Sequence, residues 1–269
     1  MKTYAISLKR VVERRNYILD HLSSLKLDYQ LIDAVDGSQL TDEELQRSCD
    51  MKKVNQLRWW LSNGAIACAM SHQEAYKCLL KSDDKAAFII EDDVVLPENI
   101  ESLLGEIEKE IQDSEIILLY YTSFKPALFS AVNARMLTDG GLYYPMDIAQ
   151  PITAAAYVIG RQAANNLVKK FHPIRVTADC WGHFYNDDSF NSLRVHYPAK
   201  VSTKNFKSSI DYLQPGSWKS KFASFVNKHQ VPIIYQYLQK KRKQRLNSML
   251  GHFQLTEDDS PIDLKLNRN

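Results

Sequence analysis

Apolar runs that fit buried strands alternate with amphipathic segments through the first 121 residues. A stripe of small residues, Ala65 and Ala69, continues through His72 and Tyr76 in one of these segments and lets a helix lie close on a sheet. Alternation of strands and helices predicts a mostly parallel sheet with helices on its faces. The predicted strands are TYAISL (3–8), DYQLIDAVDG (28–37), KAAFIIEDDVV (85–95) and SEIILLYY (114–121), and the predicted helices are VVERRNYILDHLSSL (11–25), NGAIACAMSHQEAYKCLL (63–80) and PENIESLLGEIEKEI (97–111), which begins at Pro97.

The pattern changes after Tyr121. ALFSAVNARML and GGLYYPM predict a hairpin around Gly140-Gly141, and a helix is predicted over RQAANNLVKKF. Mixed strands of this kind often close off a mostly parallel sheet. From about Ser217 the pattern is helical again. We therefore predict an α/β domain over residues 1–210 and a basic helical extension over residues 211–269 that packs on or hangs from it.

Three consecutive carboxylates, Glu91, Asp92 and Asp93, directly follow the predicted strand AAFII. Adjacent carboxylates repel each other and are costly to bury, so the cluster needs a cation, a set of donors or open water. Ligands of open α/β sheets collect outside the carboxyl ends of the strands, and carboxylates there suit Mg²⁺ or Mn²⁺. A solvated turn before Pro97 is the alternative, and these three residues alone favour neither interpretation.

The composition is that of a soluble globular protein, with 45% hydrophobic and 25% charged residues. The four cysteines form no CxxC pair and no His stands beside them at a zinc-site spacing, which predicts reduced, scattered thiols. The apolar run at the amino terminus is too short for a signal peptide or a membrane span. We therefore expect a cytoplasmic protein.

The net charge of +2 is unevenly distributed. From Asn205 onward there are eleven Lys or Arg and five Asp or Glu, whereas acidic residues are in excess before it. Residues 233–245 combine apolar positions with a basic run, which predicts a surface helix that associates reversibly with the inner face of the membrane. A solvated helix face is the alternative. Nucleic acid is the less suitable partner because the rest of the chain is acidic.

Several nucleotide-binding and catalytic signatures are missing from the sequence. There is no GxGxxG after the first strand and no GxxxxGK[ST], so the main signatures of dinucleotide dehydrogenases and of P-loop enzymes are absent. There is no GxSxG either. Arg10, Arg14 and Arg15 follow the first strand closely, where guanidinium groups can pair with the phosphates of a nucleotide. For any one of them alone, a solvated helix face is the alternative.

Five segments, in this order and spacing, resemble glycosyltransferase family 25, the bacterial lipopolysaccharide or lipooligosaccharide glycosyltransferases related to the collagen galactosyltransferases. They are YAISLKRVVERR, LIDAVDG, AIACAMSHQEAYK, FIIEDDVV and AAAYVIGRQAANNL. The resemblance covers roughly residues 3 to 210. It implies a GT-A type fold, a UDP-galactose or UDP-glucose donor, and an inverting transfer to lipooligosaccharide or another glycan acceptor.

The resemblance also implies roles for single residues. Asp93, in the family's EDD counterpart of the DxD motif, is expected to bind Mn²⁺ or Mg²⁺ together with Glu91. His72 is carried over as a donor-site residue, and a hydrogen-bonded core histidine is the alternative. The expected donor-binding residues are Arg10, Arg14, His72, Glu91, Asp92, Ser208 and Ser209.

An inverting single displacement needs a base for the acceptor hydroxyl. Asp179 matches the family's Asp after the AYVIG helix, and Asp187 and Asp188 are further candidates, so we expect Asp179 and Asp188 to be catalytic. A helix N-cap is the alternative for Asp179. Trp181 is expected either to stack on a sugar ring or to belong to the core.

The chain departs from the family at GAIAC, where the family commonly has GEIGC, so Ala65 and Ala67 replace a Glu and a Gly. This departure keeps open a non-catalytic GT-A module that binds membrane or polyanion. A metal-dependent phosphoesterase is the remaining alternative, although it would need more Asp and His ligands for two metals.

Overall fold

The computed structural model describes residues 1–58, 60–204, 206, 236–237, 240 and 252–266. The strands are β1 Lys2–Ser7, β2 Tyr29–Asp33, β3 Ala86–Glu91, β4 Val94–Val95, β5 Glu115–Leu118, β6 Ala127–Leu137, β7 Gly140–Pro145, β8 Ala156–Gly160, β9 Ser192–Tyr197, β10 Ser202–Thr203 and β11 Phe253–Thr256. The helices are α1 Val12–Ser24, α2 Asp42–Ser48, α3 Met51–Gln56, α4 Asn63–Lys81, α5 Ile100–Glu110, α6 Arg161–Lys170, α7 Trp181–Asn186 and, last, α8 Pro261–Leu266.

The described residues form a nine-stranded sheet in the order β11-β6-β7-β9-β5-β8-β3-β1-β2. β1 pairs in parallel with β2 and β3, and β5 pairs in parallel with β9. β8 runs antiparallel between β3 and β5, and β7 runs antiparallel between β6 and β9. All other strands of this sheet therefore point the same way, which confirms the predicted α/β class with a mixed, mostly parallel sheet and flanking helices.

Alternating side chains of each central strand bury against helices on opposite faces of the sheet. In β3, Phe88 and Ile90 join the cluster that contains apolar residues of α1 and α5. Ala87 and Ile89 join the cluster of α4 and α6. Burial on both faces explains why β3 is a continuous apolar run rather than an alternating one. The small residues of α4, Ala65 and Ala69, are buried as predicted.

The start of α5 differs from its prediction. The helix expected to begin at Pro97 begins at Ile100, after Asn99, although the Pro97 carbonyl accepts a hydrogen bond from the Ile100 amide. Within the predicted extension, β11 pairs in parallel with β6, so this part of the chain belongs to the sheet. Most of residues 211–251 lie outside the described residues, and the domain boundary at residue 210 stays a prediction.

The strand order creates a crevice at one place in the sheet. The chain leaves β1 for β2 on one side and then returns, through α2, α3 and α4, to β3 on the other side. In open α/β sheets, ligands bind outside the carboxyl ends of the strands where the order reverses in this way. The carboxyl ends of β1 and β3 are therefore the place to look for a site.

Candidate active site

A cavity of about 360 Å³ opens at the carboxyl ends of β1 and β3. One wall is the end of β1 with Ser7, a second is the loop after β2, and a third is the start of α4. Cys68, His72 and Glu91 line the same cavity. Its volume falls at the lower end of the range for small-molecule sites.

The loop after β2 approaches the start of α4 very closely at Gly37. A Cβ atom on Gly37 would lie 2.6 Å from the carbonyl oxygen of Asn63 and 2.8 Å from the Cα of Gly64. Both neighbours are backbone atoms, which cannot rotate away as a side chain can. The turn predicted at Asp36-Gly37 therefore forms a wall of the cavity whose position depends on a glycine.

Asp92 is held entirely by protein donors. Its carboxylate is buried, and Ser7 donates to Oδ2 at 2.8 Å while the Nε of Arg14 donates to Oδ1 at 2.7 Å. The Nη2 of Arg14 also contacts Asp92 and reaches Asp93 Oδ2 at 3.1 Å. Both residues line the cavity, so their expected donor-binding role stays a prediction, although each buried charge already has a partner inside the protein.

Asp93 is the incompletely paired carboxylate of the triplet. Its Oδ1 is buried and has no hydrogen-bond partner among the described residues, and its side chain is 21% exposed. Burial and then the negative charge of Glu91 raise the pKa of Asp93 to about 7, against the opposing effect of Arg14. A carboxylate in this condition is stabilised by any cation that reaches it.

Asp93 does not line the cavity and lies instead beside the short pair of strands β4 and β10. The pairing of β10 with β4 brings the following residue, Lys204, to this side, and its amide donates to the Asp93 carbonyl at 2.7 Å. The Lys204 ammonium lies 3.9 Å from the centre of the Tyr17 ring. The expected phosphate contacts Ser208 and Ser209 follow in sequence but lie outside the described residues.

His72 is fully buried on α4 and lines the cavity. Its Nδ1 lies 2.9 Å from the Tyr157 hydroxyl, and its Nε2 lies 3.6 Å from Glu91 Oε1. It is therefore a hydrogen-bonded core histidine whose second nitrogen faces Glu91, and its expected donor-site role stays a prediction.

Asp179 does not line the cavity, but its charge acts on Cys68, which does. Its carboxylate accepts a hydrogen bond from the Thr177 hydroxyl at 2.6 Å, and its negative charge is one of the causes, after burial and Glu91, that raise the pKa of the Cys68 thiol. Trp181 is buried, stacks edge-on against Tyr157 and donates its indole N–H to the Thr153 carbonyl. Of the two expectations for Trp181, the structure supports the core residue.

Asp188 lies apart from this cluster. Its side chain is 76% exposed and lies 3.6 Å from Lys265 of α8, in the turn after α7, where its φ is +49°. The turn directs Asp188 to the surface near α8, beside Lys265, and its expected catalytic role stays a prediction that this position does not favour.

Two cavity residues were missed by the sequence reasoning. The first is Arg58, whose exposed side chain lines the cavity, and the second is Cys68. Arg10, which was expected at the donor site, also lines the cavity; it is 50% exposed and pairs with Asp36 at 2.6 Å. Cys68 was dismissed because no zinc-type cysteine pair was found. The missed signal was the spacing of Cys68 and His72, since residues four apart on a helix share a face.

Known proteins share sequence with the part of the chain that contains the cavity. A sequence model of Glycosyltransferase family 25 (LPS biosynthesis protein) matches residues 1–181. The lipooligosaccharide biosynthesis protein lic2B of Haemophilus influenzae is 28% identical over 168 residues, which are 61% of this chain and 61% of the relative. The alignment therefore spans only about three fifths of that relative.

Two neisserial proteins named lacto-N-neotetraose biosynthesis glycosyltransferase LgtB are also similar to this chain. The protein of Neisseria gonorrhoeae is 27% identical over 176 residues, 64% of this chain and 61% of the relative. The protein of Neisseria meningitidis serogroup A is 26% identical over 207 residues, 72% of this chain and 71% of the relative. Both β1 and the acidic triplet fall inside the segment that the family model matches.

Proposed function

The chain belongs to glycosyltransferase family 25, and from this premise we propose that it transfers a hexose from a UDP-sugar to a saccharide acceptor of lipooligosaccharide or a related glycan. The names of its relatives support a role in the synthesis of surface glycans. A GT-A type organisation of the α/β sheet is part of the same proposal. The donor, the hexose and inversion at the anomeric carbon are its finer parts.

The observation on which the proposal rests is the unequal pairing of the three carboxylates. Arg14 and Ser7 satisfy Asp92, which anchors the middle of the triplet, whereas Asp93 keeps a buried oxygen without a partner. Oxygen ligands of this kind fit a hard divalent ion, Mn²⁺ or Mg²⁺. Asp93 would hold the ion with help from Glu91, and the ion when bound neutralises charge on the departing diphosphate.

The chain's own residues supply the other functions that the transfer needs. Arg10 and Arg58 place positive charge along the cavity, where guanidinium groups can pair with phosphate oxygens. The start of α4 opens into the same cavity, and backbone amides at a helix amino terminus favour anions. These features suit the binding of a nucleotide diphosphate beside the acidic triplet.

Asp179 is the proposed base. In an inverting transfer, the acceptor oxygen forms a bond to the anomeric carbon while the bond from that carbon to the diphosphate breaks. UDP leaves with the electron pair, and Asp179 takes the proton of the acceptor hydroxyl. Its charge acts on Cys68, which lines the cavity, and this supports the role better than the surface position of Asp188 does.

The test is release of UDP by the full chain from a panel of UDP-sugars with Mn²⁺, first without and then with oligosaccharide acceptors. We expect slow release with one donor, faster release with an acceptor, and loss of both in Asp93→Asn. Asp20→Asn, a matched change of an exposed carboxylate on α1, should turn over like the parent. Absence of turnover with every donor would favour the non-catalytic module, and hydrolysis of phosphate esters without sugar transfer would favour the phosphoesterase.

Association with the membrane stays a prediction. Among the described residues, no helix has both the length and the apolar character needed to cross a bilayer. Gln236, Tyr237 and Lys240 are exposed, but the other residues of the segment 233–245 lie outside the described part of the chain. Flotation with anionic liposomes, compared between the full chain and a chain without residues 237–245, tests the prediction; equal flotation would contradict it.

A further inference from the structure

Three side chains with metal-binding atoms meet at the floor of the cavity: Cys68 and His72 on α4 and Glu91 at the end of β3. Glu91 Oε1 lies 4.0 Å from Cys68 Sγ and 3.6 Å from His72 Nε2. All three ligand atoms lie within 4.8 Å of one another. Cys68 and His72 are four residues apart and therefore project from one face of the helix toward the strand end.

The hydrogen bonds behind His72 define which of its nitrogens is free. The Tyr157 hydroxyl donates its proton to the Tyr76 hydroxyl at 2.8 Å. Tyr157 must therefore accept at its contact of 2.9 Å with His72 Nδ1, so Nδ1 carries a hydrogen and donates. In the neutral form that binds a metal ion, the imidazole has only this one N–H, which leaves the lone pair of Nε2 directed at Glu91 and Cys68.

This arrangement leaves a polar conflict inside the protein. His72 is fully buried, and its Nε2 has no hydrogen-bond partner among the described residues. A lone pair facing a carboxylate at 3.6 Å is repulsive, and that distance is too long for a hydrogen bond. Buried polar atoms are almost always satisfied, so an atom that is not satisfied points to a missing partner. A cation between the three ligand atoms removes the conflict.

Two of the three distances between ligand atoms are close to those around a tetrahedral ion. Bond lengths of about 2.3 Å to sulfur and about 2.0 to 2.2 Å to nitrogen and oxygen put neighbouring ligand atoms roughly 3.3 to 3.6 Å apart. The contact between His72 and Glu91 already has this length, and the contact of Cys68 is a few tenths of an ångström longer. The hydrogen bond from His72 to Tyr157 is the outer support that metal-binding histidines usually have.

We propose that Cys68, His72 and Glu91 form a binding site for a borderline-soft divalent ion such as Zn²⁺, with its fourth position open to the cavity. Thiolate and imidazole ligands select this class of ion, whereas Mn²⁺ and Mg²⁺ prefer the all-oxygen surroundings offered by Asp93. The two sites are distinct but share Glu91. Three protein ligands with an open position are typical of zinc sites that accept an exchangeable ligand rather than purely structural ones.

Cobalt binding by the full chain provides a test that does not depend on sugar transfer. The protein is freed of metal with a chelator and titrated with Co²⁺, which reports a sulfur ligand by a thiolate-to-cobalt charge-transfer band in the near ultraviolet. We expect one equivalent of Co²⁺ to produce this band and Zn²⁺ to displace it. Mg²⁺ should not displace it.

Matched variants connect the band to the proposed ligands. Cys68→Ser should abolish the band, and Glu91→Gln should weaken Zn²⁺ affinity at least about tenfold, as should Tyr157→Phe, which removes the support behind His72. The control is Cys78→Ser, a partly buried thiol on the same helix, which should leave the band and the affinity unchanged. Circular dichroism of each metal-free variant verifies that it is folded.

Three results would overturn the proposal: no charge-transfer band in the parent, an undiminished band in folded Cys68→Ser, or a band lost in Cys78→Ser instead. Failure of the proposed transferase function is separately visible. A protein that binds Co²⁺ through Cys68 but releases no UDP from any donor supports the metal site and contradicts the enzyme. The reverse result supports the enzyme and contradicts the metal site.

Discussion

Two of the described arginines are buried against carboxylates, at opposite ends of the strands of the sheet. Arg194 pairs with Glu115, the first residue of β5, and Arg14 pairs with Asp92, just beyond the last residue of β3. Since β3 and β5 both run antiparallel to β8, the first pair lies at the amino ends of the strands and the second at their carboxyl ends.

The pair at Glu115 is complete. Arg194 donates to both carboxylate oxygens, at 2.7 and 2.8 Å, and Ser192 and the Gln112 amide supply further donors. At the triplet, one buried arginine lies against two carboxylates, while Asp93 Oδ1 remains without a partner among the described residues. We call a network closed when every buried polar atom has a partner, and open when one does not. A closed network stabilises the fold, whereas an open one leaves an atom that can bind a ligand. This contrast separates a structural ion pair from a candidate site.

The largest expected effect follows from opening the closed pair. Arg194→Met leaves Glu115 buried without its cation and should lower the free energy of unfolding by about 3 to 5 kcal/mol. Urea denaturation measures it. Arg135→Met, which removes an exposed partner of Glu110, is the matched control and should cost less than about 1 kcal/mol. Similar losses in the two variants would remove the distinction between a buried and a surface pair.

Arg14→Met should cost less, about 2 to 3 kcal/mol, because Ser7 still donates to Asp92 and the side chain of Asp93 is 21% exposed, so water can reach it. Mn²⁺ should recover part of the loss, since a cation beside Asp93 replaces the missing guanidinium charge. Thermal denaturation with and without Mn²⁺ measures this. A loss equal to that of Arg194→Met, with no response to Mn²⁺, would mean that the triplet is as closed as the pair at Glu115.

Asp93→Asn should separate activity from stability. The substitution removes one of several like charges and should leave the free energy of unfolding within about 1 kcal/mol of the parent value or above it. UDP release should fall at least about a hundredfold, because the amide is a poor ligand for a divalent ion. Urea denaturation and a UDP assay measure the two effects. A destabilised variant that keeps its turnover would identify Asp93 as structural.

The smallest effect is expected for Asp188→Asn. Asparagine also tolerates the positive φ at this position, and the contact with Lys265 is long and exposed. The free energy of unfolding should change by less than about 0.5 kcal/mol and UDP release by less than about twofold. Asp179→Asn, assayed beside it, should lose most of its turnover. A large loss of UDP release in Asp188→Asn would support a catalytic role for this residue.

Much of the fold followed from local patterns. The strands at TYAISL and AAFII, the helix with the Ala65 stripe and the hairpin at Gly140-Gly141 all appear, because each depends on the spacing of apolar residues or on glycine. The reversed direction of β8 and the addition of β11 to the sheet were not predicted. β11 pairs with a strand more than a hundred residues earlier, and β8 pairs with strands that lie several elements before it. The local spacing of apolar residues does not specify such distant pairing partners.

The candidate site was predicted in part. Glu91, Asp92 and Asp93 were located as a cluster at a strand end, but the sequence treats the three carboxylates as equivalents. Only the approach of Arg14 from α1 and of Ser7 from β1 distinguishes Asp92, which is paired, from Asp93, which is open. The exposed position of Asp188 beside Lys265 likewise could not be read from its place in the sequence after Asp179.

The sequence by itself therefore determined the α/β class, the family and the position of an acidic cluster at the mouth of the sheet, because these depend on short-range patterns of apolar and charged residues. The tertiary structure decided which charges are neutralised. It also brought Cys68 and His72 of one helix against Glu91 of a strand, with a buried nitrogen lacking a partner. Electrostatic balance depends on distances between residues far apart in the chain, and only the folded arrangement sets those distances.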